Sequence, residues 1–277
     1  MSSPFRYSIT ADLKPRALAL ALAVSVSIPL TRAFAQSLDP ISSAPGQATA
    51  LEREDSKWGI GIGAGINYRV YRDFDDRVRA LPLLTFENDY VQLIGLGLDV
   101  KLPSLGPVSF RLRGRYIGED YDSGDSPYLS GMQDRNSSFW VGGIVTWRTA
   151  LVNLSAEVLT DVMSNSDGRR AKFQIDRRFA AGAFGFTPRL AAEWVDGNYV
   201  DYYYGVRPSE ARSWRPAYSP GSAINTEVGL RIDWEPVRQH NLYLDAGATR
   251  MGSAIRNSPL VDESTQWGFG LGYLYRF

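Results

Sequence analysis

Residues 267–277 read WGFGLGYLYRF, and this stretch decides the fold. Taken two at a time, Trp267, Phe269, Leu271, Tyr273, Tyr275 and Phe277 are all large and apolar, while Gly268, Gly270, Gly272, Leu274 and Arg276 fall between them. A period of two is that of a β-strand. A strand greasy along one whole face, with glycine and arginine on the other, suits a wall between lipid and a crowded lumen. As an edge of a soluble sheet the same strand would invite aggregation. The expected fold class is therefore all-β, an antiparallel transmembrane β-barrel.

The other end of the chain fits that location. Arg6, Lys14 and Arg16 precede an uncharged run of fourteen residues, Ala17 to Leu30, which ends before Ala33-Phe34-Ala35. The run is too short to cross about 30 Å of hydrocarbon as a helix. The small-x-small motif places signal-peptide cleavage after Ala35. Residues 1–35 are thus expected to be a cleaved signal peptide. Residues 36–56, rich in Ser, Pro, Ala and charge, are read as a flexible periplasmic leader, and residues 57–277 as the barrel in the outer membrane of a Gram-negative cell. Phe277, with Tyr273 and Tyr275 before it, matches the kind of C-terminal assembly signal that the barrel assembly machinery reads.

Composition narrows the function classes. Residues 1–35 carry four basic side chains and one acid, so the 30 basic and 30 acidic residues of the chain fall to 26 and 29, a net charge of about −3. No surplus of positive charge is available for a nucleic acid. The absence of cysteine excludes disulfides, thiolate metal sites and a lipidated N-terminal cysteine.

Alternation recurs along the rest of the chain. Trp58 to Tyr68 sets apolar side chains against Gly59, Gly61, Gly63 and Gly65, inward glycines that let strands curl or leave room for bulky groups opposite. Further strands are expected at 80–87, 91–102, 108–116, 139–147, 152–162, 171–179, 184–194, 224–234 and 242–248 before the closing one. That makes eleven segments, whereas a single-chain bacterial barrel has an even number. Counting parity from both ends places the missing crossing in Tyr68 to Val78. The prediction is twelve strands, with ten the next even count.

If the alternation is right, the lumen is lined by Arg111, Arg113, Arg115, Lys172, Arg178, Arg189 and Arg231 against Asp99, Glu157, Asp161, Asp176, Glu193, Glu227 and Asp233. Seven bases facing seven acids predict a self-neutralising network, since unpaired charge in a narrow lumen is costly to desolvate. A selective path along the arginine wall is the other reading. The single histidine, His240, falls in a periplasmic turn, away from the outer rim. With no phosphate loop and no metal-ligand cluster in the sequence, no enzyme activity, cofactor or metal is expected.

The most distinctive stretch is the extracellular loop 196–222, with six aromatics: Tyr199, Tyr202, Tyr203, Tyr204, Trp214 and Tyr218. Pro208 to Arg212 within it suits a single helical turn. The loop is read either as a lid over the barrel mouth or as a display of tyrosines to a partner.

Several motifs together carry a family resemblance. They are Asp201-Tyr202-Tyr203-Tyr204-Gly205-Val206, Pro216-Ala217-Tyr218-Ser219-Pro220-Gly221, Leu159-Thr160-Asp161-Val162, Leu81-Pro82-Leu83-Leu84 and the terminal Gly272-Tyr273-Leu274-Tyr275-Arg276-Phe277. From about Lys57 to Phe277 the chain resembles the MipA/OmpV family of outer-membrane proteins. It departs at Tyr68 to Asp76, where that family usually has a Pro-x-Tyr-x-Gly element. The resemblance implies a barrel without catalytic residues. It also implies one of two roles: a scaffold that bridges a lytic murein transglycosylase and a penicillin-binding murein synthase, or a porin-like or adhesin-like surface protein. The scaffold, with its contact surface in the leader and periplasmic turns, is the expected function; a small-solute channel or surface receptor is the alternative.

Overall fold

A computed structural model describes residues 57–76, 78–117 and 120–277. The signal peptide and leader expected at 1–56 lie outside the described residues. The strands are β1 (Lys57–Tyr68), β2 (Arg79–Glu87), β3 (Val91–Ile94), β4 (Gly97–Lys101), β5 (Val108–Ile117), β6 (Ser138–Arg148) and β7 (Asn153–Asp161). They continue with β8 (Arg169–Asp176, carried on by Phe179–Ala181), β9 (Phe184–Val195), β10 (Ala223–Val237), β11 (His240–Arg250) and β12 (Thr265–Arg276). Each pairs antiparallel with its neighbours, β9 with β10 and β12 with β1, so the sheet closes into a twelve-stranded barrel.

The interruption in β8 has a chemical cause. Asp176 pairs with Arg189 and Phe179 with Phe186, so the register is unbroken. Between those pairs Arg177 N–H donates to the carbonyl of Pro188 at 3.4 Å, and proline has no N–H to return the bond.

The missing crossing is not where parity placed it. After Tyr68, where β1 ends, the described residues up to Val78 hold no strand; they form a loop whose Tyr71 makes an isolated bridge to Val261. The extra strand comes instead from 91–102, which is a hairpin and not one strand. β3 and β4 pair Ile94 with Gly97 across Gly95-Leu96, and Gly95 has φ +55°. A positive φ at the first of two turn residues is the glycine-dependent geometry of a type II′ hairpin turn.

The wall is apolar outside and polar inside. Leu112 is 53% exposed toward lipid, while the next residue, Arg113, is 6% exposed. Glycines fit this wall in two ways. A Cβ on Gly61 would lie 2.0 Å from the Tyr273 carbonyl oxygen, so the seam between β1 and β12 coils more tightly than any side chain allows. On Gly229 the same atom would lie 2.4 Å from the Arg189 guanidinium carbon, so here the missing side chain gives an arginine its room.

The large buried apolar cluster sits at the mouth. Val70, Tyr71, Tyr121, Leu129, Met132, Val200, Tyr203, Tyr204, Ile255 and Leu260 come from four extracellular loops. They pack on Trp140, Leu159, Val195 and Ala223, inward residues at the top of β6, β7, β9 and β10. Within these loops lie α1 (Gly197–Tyr204), α2 (Ser253–Arg256) and short 3-10 turns at Pro127–Leu129 and Pro208–Glu210.

Candidate functional site

Two constellations stand out: a charge lattice on the lumen wall and the lid above it. The lattice begins on β4 and β5. Arg113 grips Asp99 with both sides of its fork, Nε to Oδ1 at 2.7 Å and Nη2 to Oδ2 at 2.5 Å, and reaches Glu157 on β7 through Nη1 at 2.5 Å. Bidentate, charge-assisted bonds of this kind are the strong ones. Arg111 supports the carboxylate from one side, 3.5 Å from Asp99 and bonded to Gln92 at 3.1 Å; Arg115 supports the other, 3.6 Å from Glu157.

A second group runs from β8 to β11. Arg189 holds Asp245 with two bonds of 2.9 Å and Glu227 with one of 2.6 Å, and Lys172 meets the other oxygen of Glu227 at 2.7 Å. Arg170 pairs with Glu193 at 2.5 Å. Asp233 takes Arg231 at 3.0 Å and Arg178 at 3.1 Å. Arg170 and Asp245 were not among the predicted lumen residues, although both fall at inward positions of their strands.

Two expected members serve differently. Asp176 accepts from Asn153 at 3.0 Å and from Gln174 at 2.9 Å. Asp161, at the top of β7, organises the loop after it: it accepts from the Ser138 hydroxyl, from Met163 N–H at 2.9 Å, and from Ser166 N–H and hydroxyl at 2.8 Å each. Among the described residues, Asp161 is thus joined to a loop and not to a cation.

The lattice occupies only part of the circumference. Inward positions of β12, β1 and β2 read Gly268, Gly270, Gly272 and Leu274, then Gly59, Gly61, Gly63 and Gly65, then Leu81, Leu83 and Thr85. Among the described residues, charge returns only at the ends of these strands, in Lys57, Arg79, Glu87 and Arg276.

The lid is tied together by buried polar groups. Asp196 caps α1 through Tyr199 N–H at 2.9 Å, and this helix is what the sequence reading of loop 196–222 missed. Asp at the N-cap before an aromatic run was the available signal. The expected turn at Pro208 forms as the 3-10 turn. Tyr204 stacks on Tyr71 at 5.3 Å, the Tyr71 hydroxyl donates to the Tyr203 carbonyl at 3.1 Å, and the Tyr203 hydroxyl donates to the Asn136 carbonyl at 3.0 Å. Tyr202 receives Asn136 N–H at 2.9 Å, and Tyr218 donates to the Ala254 carbonyl at 2.8 Å. Trp214 alone of the six aromatics is exposed, at 50%. The tyrosines are therefore spent on packing and not displayed.

At the centre of the lid Glu210 takes Arg135 at 3.1 Å on each oxygen, with N–H groups of Gln133 and Arg207 at 3.0 and 3.1 Å. Burial pushes the Glu210 carboxyl up, but those N–H groups and Arg135 outweigh it and hold its pKa below the usual value. Arg215, wholly buried, is held by carbonyls of Tyr128, Ser130 and Glu210, and burial lowers its pKa.

At the periplasmic rim, Tyr273 lies 2.8 Å from His240 Nδ1, Tyr275 packs edge-on against Phe277, and Phe277 N–H bonds the Trp58 carbonyl at 2.9 Å. Of these contacts the Phe277 N–H crosses the seam where the last strand meets the first, while Tyr273 reaches β11.

The chain is similar to known outer-membrane proteins along most of its length. Over 232 residues the chain is 28% identical to the putative outer membrane protein YiaT of Escherichia coli K12, covering 80% of this chain and 92% of that one. It is 26% identical over 242 residues to the MltA-interacting protein of the same strain, covering 83% and 94%. Among solved structures, an outer membrane channel from Pseudomonas putida F1 aligns with a TM-score of 0.42 at 12% identity, covering 85% and 100%. The family model described as MltA-interacting protein MipA matches residues 59–277, nearly the whole of the described barrel. The chain is an outer-membrane β-barrel and belongs to the MltA-interacting protein MipA family.

Proposed function

We propose that this barrel is a scaffold that holds murein-active enzymes against the inner face of the outer membrane. The observation that carries the reading is the contrast between its two ends. On the extracellular side most of the large apolar side chains are buried in the lid, with Val78, Met163 and Trp214 exposed. On the periplasmic side they stand free: Tyr90 is 74% exposed, Leu105 and Leu151 70%, and Val237 65%. These four lie in or beside four of the five periplasmic connections. Exposed apolar groups gathered at one end are a feature of protein docking sites.

The partners this reading assigns are a lytic murein transglycosylase and a penicillin-binding murein synthase, one hydrolytic and one synthetic, with the barrel assembly machinery a transient partner during insertion. Support comes from the relative named for interaction with MltA and from a lumen whose charges neutralise one another. A conducting or receptor function has less support, because the lid packs on the inner rim of the wall.

The test is co-purification from cross-linked envelopes of wild type and of a variant with Tyr90, Leu105, Leu151 and Val237 all replaced by serine. Murein enzymes should accompany the wild type, and the variant should lose them while keeping its heat-modifiable migration. If murein enzymes are no more abundant with wild type than with an unrelated barrel of the same membrane, the scaffold reading fails. Large, steady, ion-selective current from wild type in a planar bilayer would put a channel in its place.

A further inference from the structure

The short β3–β4 hairpin leaves the wall incomplete. β2 runs from Arg79 to Glu87, yet β3 pairs only with Thr85, Phe86 and Glu87. Gly95 N–H adds one last bond, 2.9 Å to the Leu84 carbonyl. Above it, among the described residues, no strand pairs with the far side of Arg79–Leu83. The free edge from Ala80 to Leu83 is about 14 Å long at ~3.4 Å per residue, and the hairpin holds β2 three strand spacings, about 14 Å, from β5.

The edge is built to stay free. In an antiparallel ladder the N–H and C=O of one residue point to the same side, alternating along the strand. The Leu84 carbonyl faces β3, so the backbone groups of Pro82 and Ala80 face the gap. Proline there has no N–H to offer, which blocks pairing with another strand. The gap is bounded above by Arg79, below by the 56% exposed Leu96 at the hairpin tip, and across by Tyr116 on β5.

Behind the gap lies the uncharged sector of the lumen. Leu81, Leu83 and Ile94 point inward there, beside the glycine wall of β1 and β12. Arg115, the nearest lattice arginine, has its stem beside Gly97 on β4 and its guanidinium 3.6 Å from Glu157 on β7. Outside, the rim residues Ile62, Leu84, Leu96 and Leu98 are exposed to lipid.

We propose that this gap is a lateral portal through which the acyl chain of a membrane amphiphile passes from the bilayer into the apolar bay inside. A sheet edge open to hydrocarbon does not persist unless it lines a wet or protein-lined cavity. Here the polar end of the amphiphile, with its water, meets the Pro82 carbonyl and the Ala80 backbone, while the chain lies against Leu81, Leu83 and Ile94. The occupant is lipid-like because the gap opens on the membrane, its inner lining is apolar, and Pro82 refuses a strand. This inference stands independently of the scaffold reading.

The chain has no cysteine, so single cysteines can be labelled one at a time. Leu83→Cys, at the portal, and Ser155→Cys, inward on β7 behind an unbroken wall, would each carry a bimane fluorophore in the full barrel. Leu112→Cys gives the fully lipid-exposed reference. Each would be assembled in phosphatidylcholine vesicles containing phosphatidylethanolamine with brominated acyl chains, which quench only at contact range. The label at Leu83 should lose nearly as much fluorescence as that at Leu112, and the label at Ser155 little. Leu81→Cys repeats the test should Leu83→Cys fail to assemble. Equal, weak quenching at Leu83 and Ser155 would overturn the portal. So would cross-linking of Ala80→Cys protomers to each other without quenching, which would make the free edge an interface between copies.

Discussion

Arg113→Ala is the sharpest test of the lumen lattice. Its guanidinium is 6% exposed and joins three strands, with two bonds to Asp99 on β4 and one to Glu157 on β7. Cutting a buried ion pair on one side costs about 3–5 kcal/mol, because the partner charge is left buried. Here the two carboxylates keep second neighbours, Arg111 at 3.5 Å from Asp99 and Arg115 at 3.6 Å from Glu157. The lower end, about 3 kcal/mol, is therefore expected. Arg111→Ala should cost less, about 1 kcal/mol, since its bond to Gln92 engages a neutral acceptor.

The assay is equilibrium urea unfolding in lipid vesicles followed by tryptophan fluorescence, with Arg113→Ala, Asp99→Ala and the double variant forming a cycle. A coupling of about 2 kcal/mol between the two sites is expected for bonded charges in contact. In a planar bilayer the single variant should also admit cations, because Glu157 then faces the lumen with weaker compensation. If Arg113→Ala is as stable as wild type, or if the three arginines prove equivalent, the connectivity derived above is wrong and the lumen acts only through its summed charge.

Four further outcomes are expected. Leu112→Arg places a charge toward lipid and should destabilise the barrel by about 2–4 kcal/mol near the midplane; an unchanged unfolding midpoint would reverse the assignment of faces. Gly61→Ala should weaken the β1–β12 seam, since its Cβ would sit 2.0 Å from a carbonyl oxygen; a normal heat-modifiable mobility at all temperatures would contradict that. Deleting Phe277 removes the bond to Trp58 and the residue expected to act as an assembly signal, and the fraction inserted into membranes should fall. For the lid, the lowered pKa of Glu210 means that its contribution is complete above the ordinary carboxylate range and lost as pH falls through the lowered value. Hydrogen exchange of the lid amides, corrected for its intrinsic pH dependence, should therefore accelerate only in acid, and Glu210→Gln should remove that dependence.

The transmembrane wall was legible because its rule is local: lipid on one side imposes a period of two that each strand states for itself. The β3–β4 hairpin escaped because alternation continues on both sides of the turn. Val91 and Leu93 face lipid from odd positions, then Leu98, Val100 and Leu102 from even ones. The phase slips by one around Gly95, and that slip was the readable sign of a turn. The lid was legible only as composition. Which tyrosine stacks on Tyr71, and that Arg215 is held by three carbonyls, depend on loops far apart in sequence, and no periodicity encodes them.

A barrel turned inside out has to find a core elsewhere, and the distribution of charge follows from where that core can lie. Its outer face gives apolar surface to lipid, and its inner wall bears ion pairs, so close packing of large apolar side chains is left to the mouth. Ion pairs in turn need a wall that keeps hydrocarbon out, because a charge beside an open sheet edge would face lipid without a partner. The lattice accordingly lies along β4, β5 and β7 to β11, its β4 member Asp99 sitting where the short hairpin is paired on both sides, and β12, β1 and β2 carry glycine and leucine up to the free edge at Pro82. Lengthening the β3–β4 hairpin would close that edge at no cost in lumen charge. The chain instead keeps it short and places a proline where the next hydrogen bond would form, as expected if the opening itself is what the sequence maintains.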